Sequence, residues 1–196
     1  MKYCSECGSP VTQELLAGDS LPRFICVQCK TVHYRNPKIL VACISHFGER
    51  ILLCRRAHDP GRGRWMIPTG FMEIGETIEE TAVRETAEET GLNLDPEDLE
   101  LYGVLSLPDI NEVYVTLRVQ LARTPTLVAG PESLEVAMMG KNDIALQDWA
   151  FAGVFIKDQA ALLFSEVESG TFGIHKMRMG RNIAGGYDSR TYALSA

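Results

Sequence analysis

No stretch of this 196-residue chain approaches the roughly 20 consecutive apolar residues that a membrane helix needs. A helical spanning protein is thereby excluded. The opening residues, MKYCSECGSP, lack the apolar segment of a secretory leader, so the expectation is a cytoplasmic protein with no membrane partner. Positive charge is in deficit: 19 Lys and Arg against 26 Asp and Glu leave a net charge of −7. That balance argues against a broad surface gripping nucleic acid, because such surfaces neutralise phosphates with lysine and arginine. There is no serine elbow, no P-loop and no G-x-G-x-x-G fingerprint, which removes three large enzyme classes. The four histidines, His33, His46, His58 and His175, share no common spacing and no acidic neighbour, and none is assigned a catalytic role.

What is present is ordinary in bulk: 45% hydrophobic and 23% charged residues, enough for a real core and for one domain with a small accessory unit. Four of the six cysteines are spaced for metal. Cys4 and Cys7 form one C-x-x-C, Cys26 and Cys29 another, with eighteen residues between the pairs. Two such knuckles match the four-cysteine zinc pattern, and a closed site of four thiolates is scaffold rather than catalyst, because no coordination position is left open. Gly8 and Lys30 follow each pair where the chain must turn and are expected to donate hydrogen bonds to sulfur. Cys43 and Cys54 lie inside apolar runs and read as packed thiols.

The most informative stretch runs from Thr69 to Leu92, TGFMEIGETIEETAVRETAEETGL. Thr77 with Glu80 three residues later is a capping box, and Gly91 sits where helices end in the left-handed conformation, so a helix is predicted from Ile78 to Thr90. Helical geometry brings Glu85, Glu88 and Glu89 within an arc of about 100°, with Arg84 at its edge. Three converging carboxylates repel unless a cation occupies them, and hard oxygen ligands of this kind suit Mg²⁺ or Mn²⁺. The bland alternative is a solvated acidic face. The Thr69 carbonyl is a further candidate ligand.

Gly70, five residues, Glu76, seven residues, then Arg84-Glu85-Thr86-Ala87-Glu88-Glu89-Thr90-Gly91-Leu92 resembles the Nudix box, the signature of the Nudix hydrolases. Thr86 departs from the pattern, which prefers an aliphatic residue there. The resemblance implies an α+β fold, with a mixed sheet between helices in an α/β/α sandwich, preceded by a small zinc ribbon. It implies a structural Zn²⁺ on Cys4, Cys7, Cys26 and Cys29, and Mg²⁺ or Mn²⁺ on Glu85, Glu88, Glu89 and Thr69. The reaction implied is hydrolysis of the pyrophosphate bond of a nucleoside diphosphate joined to another group, releasing AMP. Arg84 would orient a box glutamate and Glu76 would buttress the loop through Arg84. Glu85, Glu89 or Glu135 would position or deprotonate the water, with Glu135 matching a glutamate that the family often adds to the cluster. Arg56, Phe71 and Tyr114 are the candidates for substrate contact.

A ribbon followed by such a domain is similar to two groups, the NADH pyrophosphatases and enzymes associated with ADP-ribose and FAD. Ser106-Leu107-Pro108-Asp109-Ile110-Asn111-Glu112-Val113-Tyr114 keeps only the first Ser and Pro of the motif that marks the former, so FAD or ADP-ribose is the expected substrate, and a homodimer the expected assembly. An NADH or NAD-cap pyrophosphatase, and a non-catalytic binding module led by the ribbon, stay open beside it.

The domains are expected at 1–36 for the ribbon, 37–170 for the Nudix domain and 171–196 for a tail, with the boundary at Asn36-Pro37. Strands are predicted at Lys38 to His46 and Arg50 to Arg56, joined by Phe47-Gly48-Glu49, and at Trp65 to Pro68, Leu101 to Leu107 and Glu112 to Leu121. Trp65 reads as core. Gly130 to Val136 supplies Glu132 and Glu135 from outside the box. Lys157 to Val167 reads as an amphipathic helix, and the residues from Gly170 onward as a disordered tail or an arm wrapping a partner.

Overall fold

The computed structural model describes residues 1–148, 153–181 and 187–194 and divides into two compact units, Met1–Pro37 and Lys38–Ala196. The first is a three-stranded antiparallel sheet: β1 (Val11–Glu14), β2 (Arg23–Cys26) and β3 (Val32–His33), with β2 in the middle.

The second unit is built on one mixed sheet. Its strands are β4 (Lys38–Phe47), β5 (Arg50–Arg56), β6 (Trp65–Met66), β7 (Thr69–Phe71), β8 (Glu100–Leu107), β9 (Glu112–Gln120), β10 (Ser133–Gly140), β11 (Ile174–Arg181) and β12 (Tyr187–Leu194). The order is β10-β5-β4-β9-β8-β11-β12. β4 and β5 form the expected hairpin, but pair only at His46 with Ile51 and Phe47 with Arg50. Beyond that the two strands part, and the segment from Trp65 to Phe71 wedges between them: β6 pairs with β5 and β7 with β4. The wedge is sealed by the Cys43 amide donating to the Pro68 carbonyl at 3.0 Å. This splay carries Thr69 and Gly70 to the centre of the sheet.

Among the described residues, three α-helices complete the unit: α1 (Ile78–Thr90), α2 (Lys141–Ala145) and α3 (Gly153–Ser169). Alternation along β4 sends Val41 and Cys43 to one face, where they pack with Ala82 of α1 and with Leu117 and Val119. Ala42 and Ile44 point to the other face and pack with Ile144 of α2 and with Ala160, Leu163 and Phe164 of α3. The sheet is therefore covered on both sides, an α/β/α arrangement. Trp65 is buried in the second of these clusters. Among the described residues, no helix is long and apolar enough to cross a membrane.

Two elements differ from the sequence reading. Ser133–Gly140, assigned no element from the sequence, is a full edge strand on β5 that places Glu135 opposite Arg55. The end of the chain is not a loose tail: β11 lies parallel to β8, with His175 opposite Gly103, and β12 pairs back on β11. Met177 and Met179 of β11 are buried against Leu105 and Leu107, an alternating apolar pair that supplies the reason for strand formation. Residues 182–186 and 195–196 of the expected tail lie outside the described residues.

Candidate active site and zinc centre

In the first unit the four cysteine sulfurs all lie within 4.8 Å of one another. Cys4 and Cys29 are 3.7 Å apart, Cys7 and Cys26 3.4 Å, and Cys7 and Cys29 3.5 Å. Zinc–sulfur bonds of about 2.3 Å in a tetrahedron place sulfurs about 3.8 Å apart, so the donor set fits Zn²⁺. The amide of Glu6 points at the Cys4 sulfur and those of Gln28 and Cys29 at the Cys26 sulfur, each at 3.4 Å. Here the sequence expectation is corrected: the amides of Gly8 and Lys30 donate to the carbonyls of Cys4 and Cys26, not to sulfur. Each turn closes after its sulfur-directed amides. His33 brings Nε2 within 3.2 Å of the Cys4 sulfur. Hydrogen bonds from the Thr31 hydroxyl and amide pull the Cys29 thiol down to about 6.

In the second unit α1 begins as predicted. The Thr77 hydroxyl accepts the Glu80 amide at 3.1 Å and the Glu80 carboxylate accepts the Thr77 amide at 2.7 Å. Gly91 ends the helix with φ 71° and donates to the Ala87 carbonyl, the left-handed cap that side chains other than glycine resist. The inward face is small and polar: Thr81, Ala82, Thr86, Glu89 and Thr90 are buried. Such a face lets the helix lie close to the sheet, and Thr86, the departure from the family pattern, is fully buried there.

The three carboxylates are held apart rather than gathered. Among the described residues, only the cysteines bring ligand atoms within 4.8 Å of one another as a group. Arg84 explains the spread. Its Nε and Nη2 grip Glu76 at 2.6 and 2.9 Å, its Nη1 meets Glu85 at 2.6 Å and Glu88 at 3.4 Å, and Nη2 also donates to the Phe71 carbonyl. The Glu85 carboxylate lies directly over Gly70: a Cβ built there would sit 1.8 Å from its Cδ. Glu88 faces solvent. Glu89 turns inward, 4% exposed, where its Oε2 accepts the Thr69 amide at 3.2 Å and the Cys54 thiol at 3.3 Å. The result is a ladder of depth across one helix turn.

Electrostatics follow depth. Burial pushes the Glu89 carboxyl up to about 7, with the neighbouring Glu85 charge adding to it. Glu85 is also raised, by burial first, while Arg84 opposes and the charges of Glu88 and Glu132 assist. Glu76 is held down at about 2 by the Arg84 guanidinium. Two carboxylates at the surface of a helix are thus destabilised as anions, which is the donor chemistry a hard divalent cation satisfies.

The remaining candidates scatter. Glu135 pairs with Arg55 at 3.5 Å on the outer edge of the sheet, whereas the acidic residue outside the box whose charge reaches Glu85 is Glu132. Thr69 enters through its amide rather than its carbonyl in the one contact it makes with Glu89, and its hydroxyl donates to Ile67. Arg56, anchored through Nε to the Pro60 carbonyl, lowers both Glu89 and Tyr114 by its charge. Phe71 is 46% exposed beneath the Lys38 ammonium, and register places it and Tyr114 on either side of Leu40. Tyr114 donates to Glu112 at 3.3 Å.

Sequence reasoning missed two contacts. Cys54 reaches Glu89 across thirty-five positions, and nothing in the run RILLCRR signals it. His175 does have an acidic partner, Glu166 at 2.8 Å, joined across the α3–β11 connection.

Residues 35–159 match the NUDIX domain family and residues 2–35 the Nudix N-terminal family. The chain is 45% identical over 76 residues to an ADP-ribose pyrophosphatase of Methanocaldococcus jannaschii, covering 39% of this chain and 44% of that protein. It is 36% identical over 94 residues to the mouse mitochondrial NAD(P)H pyrophosphatase NUDT13, covering 48% of this chain and 25% of that one. It is 33% identical over 98 residues to the NAD-capped RNA hydrolase NudC of Vibrio vulnificus, covering 48% and 34%. These matches span less than half the length of those relatives. The crystal structure of a NUDIX hydrolase from Nitrosomonas europaea superposes with a TM-score of 0.79 at 40% identity, covering 91% of this chain and 99% of that chain. Matched over most of its length in sequence and in fold, the chain belongs to the NUDIX family.

Proposed function

We propose that this protein hydrolyses the pyrophosphate bond of a nucleoside diphosphate linked to a second moiety, with ADP-ribose or FAD as substrate and AMP as one product. The observation that carries this reading is the graded set of carboxylates on α1, with Arg84 clamped between Glu76 and Glu85 and with Glu89 turned into the sheet. The ADP-ribose pyrophosphatase that shares 45% identity over 76 residues supports the substrate class.

Glu85, Glu88 and Glu89 would hold Mg²⁺ or Mn²⁺, which when bound neutralises phosphate oxygens and lowers the pKa of a coordinated water. Around it the chain's own residues have distinct work. Arg84 fixes Glu85 against Gly70 and ties the loop to the helix through Glu76. Glu85, Glu89 or Glu135 would position or deprotonate the attacking water. Arg56 supplies a positive charge that Glu89 feels and that a phosphate could meet. Phe71 and Tyr114 offer the aromatic contacts for a base.

The experiment is a Mg²⁺-supported screen of ADP-ribose, FAD, NADH and NAD⁺, with products resolved by chromatography. AMP release from ADP-ribose or FAD is expected, falling by about 10² or more in Glu89→Gln. A second reading, an NAD(H) or NAD-cap pyrophosphatase, is favoured by the matches to relatives bearing those names; preferential turnover of NADH would establish it instead. Undiminished turnover in Glu89→Gln would refute the site.

A further inference from the structure

We propose that Cys54 is the positioning residue for Glu89, donating its thiol hydrogen from β5 so that the buried carboxylate keeps one oxygen turned toward the cation. The inference rests on the functional reading above, in which Glu89 is a metal ligand. Both hydrogen bonds that Glu89 receives among the described residues, from the Thr69 amide at 3.2 Å and from the Cys54 thiol at 3.3 Å, fall on Oε2. Two donors converging on one oxygen from β5 and β7 define the plane of the carboxylate and leave Oε1 as the ligand atom.

Cys54 is 1% exposed, and its other polar neighbours, the Met66 carbonyl at 3.6 Å and the Ser133 side chain, are uncharged; a charged acceptor makes the stronger bond. A thiol is also a weak donor. It orients Glu89 without withdrawing much of the negative charge a metal ligand needs, and its long carbon–sulfur bond bridges from the strand to a helix that small threonines already hold close. Partners of this kind, one bond removed from the metal, typically cost 10- to 100-fold in affinity or activity when removed.

The test compares wild type with Cys54→Ala and Cys54→Ser by Mn²⁺ titration read by electron paramagnetic resonance, by steady-state kinetics and by thermal melting. Cys54→Ala is expected to bind Mn²⁺ about 10-fold more weakly and to lose a similar factor in kcat while KM stays within about twofold. Cys54→Ser, which restores a donor, is expected to recover most of both. Should Cys54→Ala not fold, Cys54→Val fills the site with a somewhat larger apolar group without the donor and carries the same expectation. Wild-type Mn²⁺ affinity in the donorless variant overturns the assignment, as does a serine variant that loses as much as alanine. A wild type that binds Mn²⁺ yet hydrolyses no dinucleotide overturns the hydrolase reading alone, and the titration then still decides Cys54. A wild type that binds no Mn²⁺ overturns both.

Discussion

The two donor sets of this molecule are assembled in opposite ways. The ribbon brings two knuckles from distant parts of its sequence face to face, so four sulfurs meet within 4.8 Å and the backbone amides beside them already point inward. The α1 site draws its three carboxylates from about one turn of one helix, where rise and rotation are fixed. It cannot fold them onto each other, so it sorts them by depth instead: Glu88 outside, Glu85 over Gly70, Glu89 against β5 and β7. A site closed from two sides serves as a staple. A site open on one side, with its charges left partly unneutralised, can take part in chemistry.

The largest effect that would break this contrast is loss of the staple. Structural zinc sites contribute on the order of 10 kcal/mol in apparent binding energy, so Cys26→Ser, or zinc chelation, is expected to melt residues 1–37. Hydrogen exchange would register it as lost protection at Ile25 and Cys26 while α1 stays protected; protection retained at β2 would show that the ribbon's small core suffices alone.

The open site should announce itself through pH. Because the folded-state value of Glu89 is raised from 4.5 to about 7, the folded protein binds the proton more tightly than the unfolded chain does. Stability from this group is therefore present below pH 4.5 and is lost as pH rises through 7, by roughly 3 kcal/mol in all. In buffer without added Mg²⁺ or Mn²⁺ and with the ribbon's zinc kept in place, denaturant midpoints should fall across that window, and Glu89→Gln should flatten the decline. Glu76, held down at about 2, contributes in the opposite sense, its stabilisation being lost as pH falls from 4.5 toward 2. An unchanged slope in Glu89→Gln would mean that burial does not govern this carboxylate.

Gly70→Ala sharpens the comparison at smaller scale. Its Cβ would meet the Glu85 carboxylate at 1.8 Å, and because that group ends a flexible side chain, displacement rather than unfolding is expected. Turnover should fall about 10-fold, as for a shifted metal ligand, with the melting temperature nearly unchanged. A loss of fold without a loss of metal affinity would assign Gly70 to the loop alone. Smallest of all, Thr77→Ala removes one half of the capping box and should cost about 1 kcal/mol in chemical denaturation, leaving kcat unaltered.

Much of this was legible beforehand where it depends on residues close in sequence. The helix bounds, its cap, the Gly91 terminator and the two knuckles are local features written in spacing. The ordering of the carboxylates was not legible, because helical periodicity gives direction around an axis but not depth against a sheet. The strand that carries Glu135 was not legible for a related reason: a short run such as SLEVAMMG shows too little alternation to announce an edge strand, and its pairing with Arg55 is made by β5. The final strands hid behind Gly-Gly and scattered basic residues, although Met177 and Met179 were spaced for one face of a sheet.

By itself the sequence determined that one metal would be clasped by thiols and that a short helix would display Glu85, Glu88 and Glu89, since both follow from covalent spacing and backbone periodicity. Only the tertiary structure decided which carboxylate is buried, which lies over a glycine and which thiol faces Glu89. Those relations depend on β4 and β5 parting after their turn to admit the Trp65–Phe71 wedge, and a separation of thirty-five residues between Cys54 and Glu89 is closed by packing, not by any local rule.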